Sequence, residues 1–325
     1  MQTDYMYISK CSENGDFETG QLTNFQDIQL SPSSGVLNYG QALFEGAKAY
    51  RRASDGKLLM FRPEENAARM MVGAERMCMP CPSTDQFIDA IKQTVLANRR
   101  WIPPSGKGSL YLRPLLFGSG AVLGLAPAPE YTFLVFASPV GNYFKDGLGP
   151  LNLYVEDEYH RATMGGAGGV KSITNYSPVY KAIKRAKSRG FSDVLYLDAV
   201  NKRYIEEVSS CNVFIVKDGK ISTPSTKGTI LPGITRKSII EMAPDLGFET
   251  EEKCIPIEEL LEADQVFCTG TAVGVATVGS VTYKEKRVEY KNGEGLVCEK
   301  LHSALRGIQE GMVQDNRGWV VEIDS

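Results

Sequence analysis

Histidine is nearly absent from this chain of 325 residues, with His160 and His302 the only two. Two are too few for most zinc sites, and catalysis is left short of its commonest general base. That scarcity turns attention to lysine, tyrosine and carboxylate chemistry. No apolar run is long enough to cross a bilayer. A basic excess is missing too: the formal net charge of -3 gives no reason to expect nucleic acid or an anionic membrane as partner. The seven cysteines are odd in number and scattered, which reads as reduced thiols rather than a disulfide framework. Cys78 and Cys81 form a lone C-x-x-C after a helical pattern, the placing of buried thiols rather than of a redox motif. Internal repeats and low-complexity tracts are lacking. The opening Met1 to Ile8 is neither a signal peptide nor an Arg/Ser-rich transit peptide. The chain as it stands reads as cytoplasmic, with plastid or mitochondrion the alternative if a targeting segment is missing from it.

What is present is ordinary globular material, 42% hydrophobic and 23% charged, in a length that suits two domains. Residues 5–9 and 25–30 alternate as strands do, with a polar turn between them. Gly35 to Tyr50 mixes small and aromatic residues without a clean period, and Glu45 and Lys48 within it read as solvated. Arg62-Pro63-Glu64-Glu65 opens a helix, with proline at the first position and acids in the first turn. Ala67, Met70, Met71, Ala74 and Met77 recur at helical spacing, and Arg69 on that helix reads by default as a solvated charge. Ser83 and Gln86 form a capping box ahead of a helix carrying Phe87, Ile88, Ile91 and Val95. Residues 109–117 and 131–138 read as buried strands.

The glycine-bearing run from Pro139 to Pro150 is the best domain boundary. It predicts a small N-terminal domain over 1–145, a loop over 146–156 and a larger domain over 157–325. Beyond it, Ser177-Pro178 caps a helix that stops at Gly190. Short strands follow at 193–197, 204–208 and 212–216, and Asp218-Gly219 makes a hairpin turn into Ile221. A helix from about Thr235 to Met242, a strand over 264–271 and a helix from about Gly293 to Met312 complete the chain. The fold class is α/β (α+β), with the second half mostly β and helices interspersed.

Gly165, Gly166, Gly168 and Gly169 crowd just ahead of Lys171, where a backbone can come close to a ligand. A flexible surface loop with a solvated lysine is the plain reading. A phosphate-binding P-loop needs glycine directly before the lysine, and Val170 stands there. A lysine that forms a Schiff base is the other alternative; it reacts as the neutral amine and needs desolvation or cationic neighbours. Val170 and Ile173 supply apolar flanks, and Tyr176 could offer a phenol to a cofactor oxygen. Two further stretches could hold an anion. Leu231-Pro232-Gly233-Ile234-Thr235-Arg236 puts a glycine and exposed amides at a helix start, and Thr269-Gly270-Thr271-Ala272 offers hydroxyls at a strand end. In Glu206-Glu207, strand alternation sends one carboxylate inward and the other to solvent. An inward carboxylate needs a partner, which a protonated pyridine nitrogen could be; two solvated glutamates on an edge strand is the alternative.

Taken in order, the motifs resemble one family. Tyr39 with Leu43-Phe44-Glu45-Gly46, Phe61-Arg62-Pro63 with Arg69, and Ser109-Leu110-Tyr111-Leu112-Arg113-Pro114 are its first marks. Ser138-Pro139-Val140-Gly141 with Tyr143, Gly168-Gly169-Val170-Lys171 with Asn175-Tyr176, Glu207-Val208, Ile230-Leu231-Pro232-Gly233 and Gly270-Thr271-Ala272 continue the series. From Thr3 nearly to its end the chain is similar to the branched-chain amino acid aminotransferases, which have the two-domain, fold-type IV architecture of pyridoxal-phosphate enzymes.

The resemblance implies that Lys171 is the catalytic residue and holds pyridoxal 5'-phosphate as a Schiff base. It implies that Glu207 faces the pyridine nitrogen, that Tyr176 faces the ring oxygen, and that Arg69, the Ile234 and Thr235 amides and the Thr271 hydroxyl hold the phosphate. The substrate pocket it implies consists of Tyr39, Phe44, Tyr111, Tyr143, Thr271 and Ala272, with Arg113 nearby. Leu125 would come from the neighbouring subunit of a homodimer. The activity implied is reversible amino transfer between L-Leu, L-Ile or L-Val and 2-oxoglutarate in a ping-pong cycle. Alternatives within the fold act on methionine-derived 2-oxo acids or D-amino acids. Some relatives carry a redox-sensitive C-x-x-C after the Thr-Ala pair, and Val273 and Ala276 stand at those positions here.

Overall fold

The computed structural model describes residues 2–141 and 149–323. They gather into two compact units, one of 2–141, 170–174 and 307–323, the other of 149–169 and 175–306. Among the described residues the sheet of the first unit has eight strands. They are β1 (Tyr5–Ser12), β2 (Gln21–Asn24), β3 (Ala42–Phe44), β4 (Ala47–Arg51), β5 (Leu58–Phe61), β6 (Gly108–Gly118), β7 (Glu130–Gly141) and, from the far end of the chain, β17 (Val320–Ile323). Their order is β17-β5-β4-β6-β7-β1-β2, with β3 paired to β6.

Of the two long strands, β7 buries Tyr131 to Val135 in succession, while β6 alternates over residues 110–116. Leu110, Leu112 and Leu116 are wholly buried on one face of β6, while Tyr111 and Arg113 leave the other face half-buried. After the short α1 (Gly35–Tyr39), α2 (Pro63–Arg76) and α3 (Thr84–Ala97) cover the leucine face. Ala67, Met70, Phe87 and Ile91 pack there with Leu112 and Phe133. The capping box of α3 is present, with Gln86 N donating to Ser83 Oγ and the Gln86 side chain accepting from Ser83 N. Met71 is 46% exposed, against the helical pattern read from sequence. The buried stripe of α2 runs instead through Asn66, Ala67, Met70, Gly73 and Ala74, and Met71 sits beside it.

The strand expected at 25–30 lies earlier, at 21–24. β2 pairs with β1 from Ile8↔Gln21 to Tyr5↔Asn24, and β1 begins at Tyr5, so the residues after Asn24 have no strand beside them. Cys78 is exposed and Cys81 half-buried, so the pair is not the buried couple expected; none of the seven cysteines forms a disulfide.

In the second unit β8 (Leu151–Glu156), β9 (Asp193–Leu197), β10 (Ile205–Val208), β11 (Asn212–Lys217), β12 (Lys220–Pro224), β13 (Thr250–Lys253), β14 (Gln265–Gly270), β15 (Gly274–Tyr283) and β16 (Lys286–Glu289) form one sheet. Its order is β10-β9-β8-β15-β14-β11-β12-β13, with β16 on β15. A further β10–β11 pairing joins the first and sixth of these strands, so they close into a ring. Leu153, Val155, Leu195, Val213, Val266 and Val278 belong to its core.

Residues 151–156 are thus a strand and not the connecting loop read from sequence. β8 lies between β9 and β15, parallel to both, and buries Leu153 and Val155. The helices are α4 (Tyr180–Ser188), α5 (Ile234–Met242), α6 (Ile257–Leu261) and α7 (Val297–Gln309). α7 is shorter than expected because Gly293, Gly295 and Gly311 adopt positive φ on either side of it. The hairpin turn is as read, with Asp218 and Gly219 both at positive φ (50° and 80°) between β11 and β12. Among the described residues no helix is long and apolar enough to cross a membrane, and no cluster of metal-binding side chains occurs.

Candidate active site

In the first unit the segment carrying Lys171 is stitched to β3. Leu43 and Ser172 form an antiparallel bridge, and Phe44 N donates to the Lys171 carbonyl at 3.2 Å. Val170 and Ser172 are buried, and Ile173 packs against Met6, Ala42, Phe117 and Leu134. So anchored, the loop holds Lys171 Nζ 4.6 Å from the centre of the Phe44 ring. The Arg113 guanidinium stands 4.6 Å from the same ring and donates to Tyr111 OH at 3.4 Å. Four of the residues singled out by sequence therefore meet: Phe44, Tyr111, Arg113 and Lys171. Gly46 makes room for them, since a Cβ there would stand 2.2 Å from Tyr111 OH.

Arg69 is not the solvated charge its helix position suggested, nor is Glu45, which is 0% exposed. Arg69 donates from Nε to Glu45 Oε1 at 2.8 Å and from Nη2 to Oε2 at 2.6 Å. Asn66 Nδ2 adds a third bond to Glu45 Oε2 at 2.8 Å. A buried carboxylate has to be paired, and this fork also fixes the plane of the guanidinium. Lys48 is the other residue read as solvated. It lies beside Tyr111 in register, and burial pushes its ammonium down to about 8.

Tyr39 OH donates to the Leu123 carbonyl, and Leu125 is 91% exposed. Tyr143 lies outside the described residues.

In the second unit, the glycine run serves a close approach, but to protein. A Cβ on Gly168 would fall 2.4 Å from Ala162 Cβ and 2.5 Å from the Thr229 carbonyl, and one on Gly169 would fall 3.0 Å from the Gly228 carbonyl. Glu206 and Glu207 are both buried, at 7% and 2% exposure, where alternation assigned one to solvent. β10 carries one extra residue between Ile205 and Val208 relative to β9, and this bulge breaks the alternation. Glu207 pairs in register with Asn212 where the ring closes. Its Oε1 accepts from Leu231 N at 2.7 Å and lies 2.9 Å from Arg161 Nη1.

Asn212 Nδ2 donates to the Leu231 carbonyl at 2.9 Å, so two side chains pin the loop that leads into α5. A Cβ on Gly233 would stand 2.1 Å from Asn212 Oδ1, so the side chain that pins this loop would have to shift. α5 starts at Ile234 and Thr235 with no side-chain cap and no acid in its first turn. Thr271 and Ala272 occupy the turn between β14 and β15, and the buried Thr269 Oγ1 has no hydrogen-bond partner among the described residues. Tyr176 is half-buried at the turn before α4. The donor set fits a phosphorylated pyridine ring. A paired buried carboxylate suits a cationic nitrogen, and uncapped amides at a helix start suit a phosphate.

Sequence reasoning missed Glu45, Arg161 and Asn212. Glu45 stands inside the Leu43-Phe44-Glu45-Gly46 motif and Asn212 at the start of an expected strand, but their partners lie 19 to 24 residues away, and no local period links such pairs.

Comparison with known proteins decides the family. Residues 42–281 match the model of amino-transferase class IV. Over 99% of this chain and 82% of its own length, a chloroplastic branched-chain-amino-acid aminotransferase of Arabidopsis thaliana is 66% identical. This chain belongs to the class IV branched-chain aminotransferases. A mitochondrial branched-chain aminotransferase of Humulus lupulus is 64% identical over 100% of the chain and 82% of its own. A methionine aminotransferase of Arabidopsis thaliana reaches 52% over 100% of the chain and 91% of its own. The solved branched-chain aminotransferase of Escherichia coli superposes with a TM-score of 0.84 at 26% identity, each chain covered fully. A T.th. branched-chain aminotransferase complexed with N-(5'-phosphopyridoxyl)-L-glutamate gives 0.83 at 26% identity, again with full coverage of both. The aminotransferase is therefore mixed α and β in the class IV fold.

Proposed function

We propose that this aminotransferase exchanges the amino group between L-Leu, L-Ile or L-Val and 2-oxoglutarate with pyridoxal 5'-phosphate. The observation that carries the reading is 66% identity to a chloroplastic branched-chain-amino-acid aminotransferase over 99% of the chain. When bound, the cofactor supplies an electron-poor ring that makes the amino acid Cα–H acidic. Lys171 Nζ would hold the cofactor and, as a free amine, would serve as the base that takes and returns the substrate Cα proton. Glu207 keeps a proton on the ring nitrogen, and Tyr176 donates to the ring oxygen. Arg69, oriented by Glu45, holds the phosphate together with the Ile234 and Thr235 amides and the Thr271 hydroxyl, fixing the reacting atoms before chemistry begins.

Phe44, Tyr39, Tyr111, Tyr143, Thr271 and Ala272 shape the substrate pocket, and Arg113 meets the carboxylate of glutamate. Leu125, 91% exposed on its own chain, serves the pocket of a second copy in a homodimer. The methionine aminotransferase, at 52% identity, is the relative that supports a second reading, action on methionine-derived 2-oxo acids. Steady-state assays of the purified holoprotein with L-leucine, D-leucine and L-methionine as donors to 2-oxoglutarate separate these. Turnover fastest with L-leucine supports the first reading; preference for L-methionine or for the D-enantiomer rejects it.

A further inference from the structure

Glu207 is nine-tenths buried and more, so a counter-charge has to accompany it. Arg161 supplies one, with Nη1 2.9 Å from Glu207 Oε1 and the two side chains only 2% and 3% exposed. The same Nη1 donates to the Thr229 carbonyl at 3.1 Å, and Leu231 N donates to Glu207 Oε1 at 2.7 Å. Arginine, carboxylate and the 229–231 loop are thereby tied into one assembly leading to α5. Hydrogen bonding alone does not account for burying this guanidinium, because Arg161 Nε has no partner among the described residues. An apolar replacement for a buried ion pair is often neutral or stabilising, so a pair retained at that cost calls for a role in function. The neighbouring Glu206 is also buried; burial pushes its carboxyl up, while its bond to Thr229 and the Arg161 charge act the other way.

We propose that Arg161 is a positioning residue for the cofactor's ring nitrogen, holding Glu207 as a fixed carboxylate through Oε1. The inference rests on the reading that Glu207 faces that nitrogen. A carboxyl and a pyridine nitrogen share one proton between them. A guanidinium in direct contact with the carboxyl stabilises its charge more than it opposes the more distant ring charge, so the proton stays on the nitrogen. Arg161 acts through Glu207 and touches neither substrate nor cofactor.

The test uses binding, not turnover. Apoprotein is titrated with pyridoxal 5'-phosphate and with its 1-deaza analogue, in which CH replaces the ring nitrogen. The readout is the ratio of the two dissociation constants in the native chain, Glu207→Gln and Arg161→Gln. The native chain should prefer the nitrogen-bearing ligand, and both variants should lose that preference by about tenfold or more, the scale of a buried bond to a charged group. If Arg161→Gln weakens both ligands equally, or neither, while Glu207→Gln abolishes the preference, the proposal is overturned and the reading of Glu207 survives. If Glu207→Gln keeps the native ratio, that reading falls and the proposal with it. Should Arg161→Gln not fold, because it strands a carboxylate, the double variant Arg161→Gln/Glu207→Gln decides. Recovery of the fold supports the counter-charge role, and no recovery overturns it.

Discussion

At the scale of single residues, Arg113 is the clearest candidate for reading two unlike substrates. Leucine offers an apolar side chain and glutamate a carboxylate, which is costly to bury without a partner. Arg113 lies over Phe44 and bonds to Tyr111, so aromatic surface and positive charge meet at one place. Arg113→Ala should raise the KM for glutamate about tenfold or more, the worth of a lost charged bond, with far less effect on leucine. Steady-state kinetics with each amino acid check this, and equal losses would make Arg113 a support of the architecture alone. Lys48 gives a pH signature. Its ammonium is lowered from 10.5 to about 8 by burial, so between those values the unfolded chain binds a proton that the folded chain does not. The fold is penalised by the buried charge below about pH 8, and its stability rises with pH across that window. Lys48→Met should therefore melt higher than the native chain at pH 7 and lose the advantage by about pH 10. A difference that does not change with pH would mean that Lys48 is not desolvated.

Among elements, the glycine run is held by contact between two backbones. Gly168→Ala would press a methyl against Ala162 and the Thr229 carbonyl, neither of which is the free end of a flexible side chain. Overpacking of this kind costs about 1–3 kcal/mol, and a thermal melt of the apoprotein should show it. An unchanged melting temperature would mean that the loop yields freely. The same loop illustrates what sequence makes legible. The glycines announced a close approach, but the surface approached, Gly228-Thr229, lies some 60 residues on and left no local trace. The capping box of α3, the alternation of β6 and the Asp218-Gly219 hairpin were readable because each is settled by neighbours in the chain. β8 was obscured by the proline and glycine run ahead of it, although Leu151, Leu153 and Val155 do alternate. The burial of both Glu206 and Glu207 could not be read at all, because it depends on a bulge defined against β9. Glu45 and Arg69 were visible as residues and invisible as a pair, since their contact joins β-edge and helix across 24 positions.

For the whole molecule, membership of the class IV branched-chain aminotransferases rests on nearly full-length similarity, and the chemistry proposed for it rests on one lysine. Arg69, Phe44 and Arg113 belong to the first unit with Lys171, while Glu207, Thr235 and Thr271 belong to the second, so each unit brings its own share of the proposed roles. All of those roles presuppose that Lys171 carries the cofactor. Borohydride reduction of the holoprotein fixes the cofactor to whichever lysine holds it, and digestion with mass spectrometry then finds the modified peptide. The cofactor mass is expected on the peptide that contains Lys171; its appearance on another lysine, or on none, would contradict the account.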